Sequence, residues 1–126
     1  MIEATCHCRA VRLAVPSAPT QVTDCNCSIC RKLGVLWAYY PAAEVVVEAA
    51  PEAVARYVRD DLEAEGDPSV AFCHCRACGC TTHWEGLGAN AGRTGVNARL
   101  FEPATLARAK IQRLDGADTW AILAGD

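Results

Sequence analysis

The chain has 126 residues and a formal net charge of -3, a length that suits one domain over 1–126 and a balance that lacks the basic field a phosphate backbone would need. Its basic residues are scattered rather than striped, so no nucleic-acid partner is expected; no apolar run approaches the roughly 18 residues of a membrane span. The start, Met1-Ile2-Glu3-Ala4-Thr5-Cys6, has neither a basic n-region nor an apolar h-region, so a cytoplasmic chain without a membrane partner is expected.

The first predicted strand is 10–15, which alternates and ends at Pro16. Residues 35–40 and 44–48 are β-branched or aromatic runs bounded by Gly34, Pro41 and Pro51. Further strands are expected over 53–59, 69–74, 81–85, 95–100 and 111–114, separated by Gly-, Pro- and Asp-rich turns. Helix is scarce, with a turn from Ser28 and a segment over 103–109 opened by a proline, while 51–59 reads equally as helix or strand. The acidic stretch 60–68 is read as an exposed loop. The expected class is mainly antiparallel β.

Nine cysteines carry the chemistry. Their odd number, tight Cys-x-Cys spacing and an expected reducing compartment favour metal thiolates over disulfides. They fall into three clusters: Cys6-His7-Cys8, Cys25-Asn26-Cys27-Ser28-Ile29-Cys30, and Cys73-His74-Cys75-Arg76-Ala77-Cys78-Gly79-Cys80. The pentapeptide Cys-His-Cys-Arg-Ala occurs twice, at 6–10 and 73–77, as two matching knuckles able to grip one ion would.

Four thiolates close a tetrahedral zinc site, whereas three leave a position for an outside ligand. Cys6 and Cys8 with Cys75 and Cys78 make a closed, structural set, and Cys25, Cys27 and Cys30 an open one. Cys73-x-Cys75-x-x-Cys78 copies the spacing of Cys25-x-Cys27-x-x-Cys30, so the ligands of the last cluster stay open, with Cys73 a spare ligand or a buried small residue. Three thiolates make zinc a poor Lewis acid for water but a good holder of a fourth thiolate. His7 and His74, each between two cysteines, point away from any ion their neighbours grip, and His83 reads as a satisfied strand residue.

These residues, with Val96-Asn97-Ala98-Arg99 and Leu114-Asp115-Gly116, resemble the glutathione-dependent formaldehyde-activating enzyme family, which includes centromere-protein-V-like proteins. The resemblance covers nearly the whole chain. It implies a β-tent fold of antiparallel sheets stapled by two zinc ions, Cys6, Cys8, Cys75 and Cys78 holding the structural one and Cys25, Cys27 and Cys30 the catalytic one. It also implies a carbon-sulfur lyase that joins glutathione to formaldehyde as S-hydroxymethylglutathione. The chain departs from the family pattern at Arg9, where Gly is usual, at Asn26, where His is common, and at Cys80, where Thr is usual.

Two functions from different classes follow. One is an enzyme adding a small thiol to an aldehyde at the three-cysteine zinc, with Arg31, Lys32 or Asn97 positioning the substrate. The other is a non-catalytic zinc-stabilised binding module with Trp37, Tyr39 and Tyr40 on its partner surface. Redox or metal buffering ranks third, because no thioredoxin-like βαβ pattern surrounds Cys27-x-x-Cys30.

Overall fold

The computed structural model describes residues 1–59 and 69–123 and is mainly β. The acidic stretch 60–68 lies outside the described residues. Among the described residues, ten strands form two sheets, with one short helix, α1, at Ser28–Leu33. The smaller sheet has the order β1-β2-β5, from Ile2–Thr5, Arg12–Val15 and Val46–Glu48. The larger has the order β10-β3-β4-β9-β8-β7-β6. Its strands are β3 Gln21–Cys25, β4 Trp37–Pro41, β6 Val54–Val58, β7 Val70–Cys75, β8 Thr81–Gly86, β9 Arg93–Asn97 and β10 Lys110–Leu114.

Eight of these strands lie where sequence places them, to within about two residues at most ends. β1 and β3 do not follow from composition, since each is short and interrupted by Glu3 or Asp24. The segment expected as strand to 100 bends into a 3-10 turn at Ala98–Leu100, and the predicted helix over 103–109 is a 3-10 turn at Pro103–Leu106. The pairing departs from all-antiparallel at one place, where β10 runs parallel to β3, Leu114 beside Cys25. That pairing brings the end of the chain to the three-cysteine cluster.

Two cores lie on opposite faces of the larger sheet, because neighbours such as Trp37 and Ala38 in β4 point opposite ways. The core shared with the smaller sheet contains Ala4, Val11, Leu13, Val15, Val22, Ala38, Val96, Ala98 and Phe101, together with Cys6 and Cys75. The other contains Cys25, Cys27, Cys30, Val35, Trp37, Phe72 and Trp84. Each cysteine group is thus anchored in its own core.

Candidate metal centres

The first knuckle follows β1. The chain reverses through Cys6-His7-Cys8-Arg9, with the Arg9 amide donating to the Cys6 carbonyl at 3.1 Å and Arg9 at φ 67. That left-handed backbone explains why glycine is usual there: a side chain at this φ crowds its own carbonyl. The second knuckle follows β7, where the Gly79 amide donates to the Cys75 carbonyl at 2.9 Å and Gly79 takes φ +81. The two turns bring the sulfurs of Cys6, Cys8, Cys75 and Cys78 within 4.8 Å of one another.

Four sulfurs about 2.3 Å from a tetrahedral ion stand about 3.8 Å apart. Cys6 and Cys8 are separated by 3.7 Å and Cys8 and Cys75 by 3.6 Å, so this group could hold a metal such as zinc. Backbone amides already serve the sulfurs: Val11 N donates to Cys6 Sγ at 3.3 Å, and the amides of Cys80 and Cys8 pull the Cys78 thiol down to about 5. His7 and His74 are exposed on the outside of the knuckles. Cys80 contributes its amide to Cys78, and its own half-buried side chain packs against the core.

Cys25, Cys27 and Cys30 form the second group, all buried, with their sulfurs within 4.8 Å of one another. Cys25 ends β3, Cys27 is the N-cap of α1, and Cys30 sits in the helix's first turn. Gly34, at φ 69, ends the helix with its amide on the Cys30 carbonyl at 3.0 Å. Thiol hydrogens from Cys25 and then Cys30 stabilise a thiolate at Cys27, whose pKa falls, with the charge of Arg59 adding to the effect. The Cys25 pKa rises because its thiol donates to Cys27, and that of Cys30 rises because its thiol donates to Cys25 and then to Cys27. Trp37 Nε1 donates to Cys30 Sγ at 3.3 Å, and Arg59 reaches Cys27 Sγ at 3.5 Å.

This group forms part of the lining of a cavity of about 340 Å³. Trp37, Tyr39, Phe72, Trp84 and Trp120 supply its aromatic walls, and Arg59 and Arg93 its cations. Gly95 makes room for one wall: a Cβ there would stand 2.0 Å from Trp84 Nε1. Tyr39 packs on Trp84 at 6.0 Å between ring centroids, and Arg93 lies 6.0 Å from the Tyr39 ring centroid.

The roof comes from the turn after β10. Asn26, between two of the cysteines, donates from Nδ2 to Asp115 Oδ1 at 3.1 Å and accepts from the Ala117 amide at 2.9 Å. Gly116 packs so closely on the cysteines that a Cβ would stand 2.6 Å from Cys25 Sγ. Trp120, held by its amide on the Asp115 carbonyl at 2.7 Å, takes φ 60, which a bulky residue seldom adopts.

Several expectations are corrected here. Arg31 and Lys32 are exposed on α1 and do not line the cavity; its cations are Arg59 and Arg93. Asn97 does not line it either: it caps the 3-10 turn, donating to the Thr81 carbonyl at 2.8 Å and accepting from the Arg99 amide. Of the two readings of Cys73 the buried small residue holds: its side chain is fully buried, and its sulfur lies with His83 and Glu85 rather than with the four-sulfur group. Arg59, Arg93 and Trp120 were missed because no local spacing links them to a cysteine. The one sequence signal near them is Leu114-Asp115-Gly116, which opens the turn that carries Trp120.

A mainly β scaffold that gathers one closed and one open cysteine group from distant strands defines a cysteine-rich domain able to bind metal. The chain belongs to the glutathione-dependent formaldehyde-activating enzyme family, whose model matches residues 1–108. It is also similar to a crystal structure of a Rhodobacter sphaeroides protein, with 26% identity and a TM-score of 0.67 over 86% of this chain and 97% of that one. No described helix is long and apolar enough to cross a membrane.

Proposed function

We propose that residues 1–126 form one domain that adds a small thiol, glutathione or a close analogue, to formaldehyde or another aldehyde, as a carbon-sulfur lyase of the S-hydroxymethylglutathione synthase type. The observation that carries this reading is the convergence of Cys25, Cys27 and Cys30 at a cavity of about 340 Å³, room for a thiol and an aldehyde together. In this reading two zinc ions are bound, one by these three residues and one, structural, by Cys6, Cys8, Cys75 and Cys78. Zinc held by three thiolates would supply a fourth position at which a substrate sulfur stays ionised near neutral pH.

The chain's own side chains bind and orient. Arg59 and Arg93 are placed to pair with the carboxylates of an anionic thiol such as glutathione. The aromatic walls and Trp120 give the cavity apolar faces, beside which charge interactions are stronger than in bulk water. In the reaction the sulfur forms a bond to the carbonyl carbon, and the carbonyl π pair moves to oxygen. The oxygen then takes up a proton equivalent to the one the thiol released, so nothing is oxidised and no group leaves. Holding both partners in one pocket supplies the proximity term. A cytoplasmic location suits nine reduced cysteines.

The test is exchange NMR of glutathione and formaldehyde with the zinc-loaded protein. Adduct equilibration faster than in buffer, lost in a Cys27→Ser variant that melts like the parent, is the expected result. No acceleration, or full activity in Cys27→Ser, would instead favour the non-catalytic binding module.

A further inference from the structure

A third group of metal-type donors lies apart from both cysteine groups. β7 and β8 pair antiparallel with a bulge: Cys73 opposes His83 and His74 opposes Thr81, leaving Thr82 as the extra residue. The bulge sets Cys73, His83 and Glu85 together, their donor atoms within 4.8 Å of one another. Cys73 is fully buried and His83 is 3% exposed, while the Glu85 side chain is 45% exposed. Glu85 therefore forms the mouth, beside a hollow of about 150 Å³ that also touches Val45 and Val47.

His83 Nε2 faces Glu85 Oε1 at 3.6 Å. On its other side Thr82 Oγ1 lies 2.9 Å from His83 Nδ1 and 3.3 Å from the Cys73 carbonyl. With a metal on Nε2 the ring hydrogen would sit on Nδ1 and donate to Thr82 Oγ1, whose own proton would go to the Cys73 carbonyl. Cys73 Sγ lies 3.8 Å from Glu85 Oε1. The other carboxylate oxygen, Oε2, accepts from Arg56 at 2.8 Å, which steers Oε1 inward.

Sulfur, nitrogen and oxygen donors around a tetrahedral ion at about 2.0 to 2.3 Å stand about 3.3 to 3.5 Å apart. The Nε2–Oε1 and Sγ–Oε1 separations of 3.6 and 3.8 Å come within a few tenths of an ångström of these values, and the sulfur and the ring nitrogen lie within 4.8 Å of each other. A ring whose second nitrogen donates to a fixed acceptor, and a carboxylate held by its other oxygen, are the supports that metal ligands ordinarily have.

We propose that Cys73, His83 and Glu85 form a third metal site, specific for a borderline-soft divalent ion such as zinc and open to solvent at its fourth position. Binding releases the Cys73 thiol proton to water; His83 and Glu85 need release none. With one thiolate rather than three or four, this site is the weakest of the three.

The experiment is a titration of the full chain, purified with zinc and freed of excess ion, with further zinc alone, read by native mass spectrometry, for the parent, Glu85→Gln, His83→Gln and Cys27→Ser. Glu85→Gln and His83→Gln are each expected to carry one equivalent fewer than the parent, or to bind it at least about tenfold more weakly. Equal numbers and affinities in the parent and Glu85→Gln would overturn the site. Glu85 lies at the surface, so its variant decides the matter even if His83→Gln fails to fold. Cys27→Ser reads the three-cysteine group separately: an unchanged count there would fail that group and leave the Glu85 difference intact.

Discussion

Asn26 and Asp115 lie 89 positions apart in sequence, yet a 3.1 Å hydrogen bond joins them. Asn26 sits between two cysteines of the open group, and Asp115 begins the turn that carries Trp120 over the cavity. The residue at which the chain departs from the family's usual His therefore ties the roof to the floor. Asn26→Ala removes both its bond to Asp115 and its acceptor for the Ala117 amide. It should raise KM for the thiol several-fold, lower Tm by a few degrees and change Trp120 fluorescence; unchanged KM and emission would show that the roof holds without the clasp.

The same clasp makes the roof sensitive to acid. Bonds from Asn26, then from the Thr119 side chain and amide, hold the Asp115 carboxyl below its usual range. Its folded pKa is depressed, so its contribution to stability is present above the unfolded value and is lost as pH falls through the folded one. The Tm advantage of the parent over Asp115→Ala should therefore shrink as pH drops from neutral through the ordinary carboxylate range. A constant gap in thermal melts across that range would contradict this.

Arg9 at φ 67 occupies a backbone conformation that costs a non-glycine residue about 1 kcal/mol. Arg9→Gly should stabilise the protein by about that amount, seen in chemical denaturation of the metal-loaded form. Destabilisation would mean that the Arg9 side chain makes an interaction worth more than the strain.

Gly116→Ala would place a methyl group 2.6 Å from Cys25 Sγ. The sulfur is pinned at the end of β3, so the C-terminal turn must lift, at a cost of about 1 to 3 kcal/mol. The variant should fold, melt lower, and lose the proposed thiol-addition activity along with the Trp120 roof. Melting and kinetics equal to the parent would show that the turn adapts freely.

The two cysteine groups should respond differently to loss of one ligand. Cys78→Ser removes one of the four sulfurs that join the knuckles after β1 and β7, where a bound metal would contribute on the order of 10 kcal/mol to folding. It should be unfolded at room temperature by circular dichroism, and a strong chelator should act similarly on the parent. Cys27→Ser should remain folded, because Trp37, Phe72 and Trp84 still fill that core. If Cys78→Ser keeps a parent-like melt, the staple contributes little.

The mainly β class, the positions of most strands and the three cysteine clusters are legible in the chain alone, whereas the grouping of Cys75 and Cys78, rather than Cys73, with Cys6 and Cys8 comes from the fold. The legible features are local: alternation, turn residues and cysteine spacing each act over a few positions. Tertiary structure decided what surrounds the open group. Arg59, Arg93 and Trp120 reach the cavity from β6's end, β9 and the turn after β10, elements that meet only through sheet order and the parallel β3–β10 pairing. The group of Cys73, His83 and Glu85 likewise depends on a bulge that shifts one strand against its neighbour. Register is set by the packing of whole sheets, and no short run of residues specifies it.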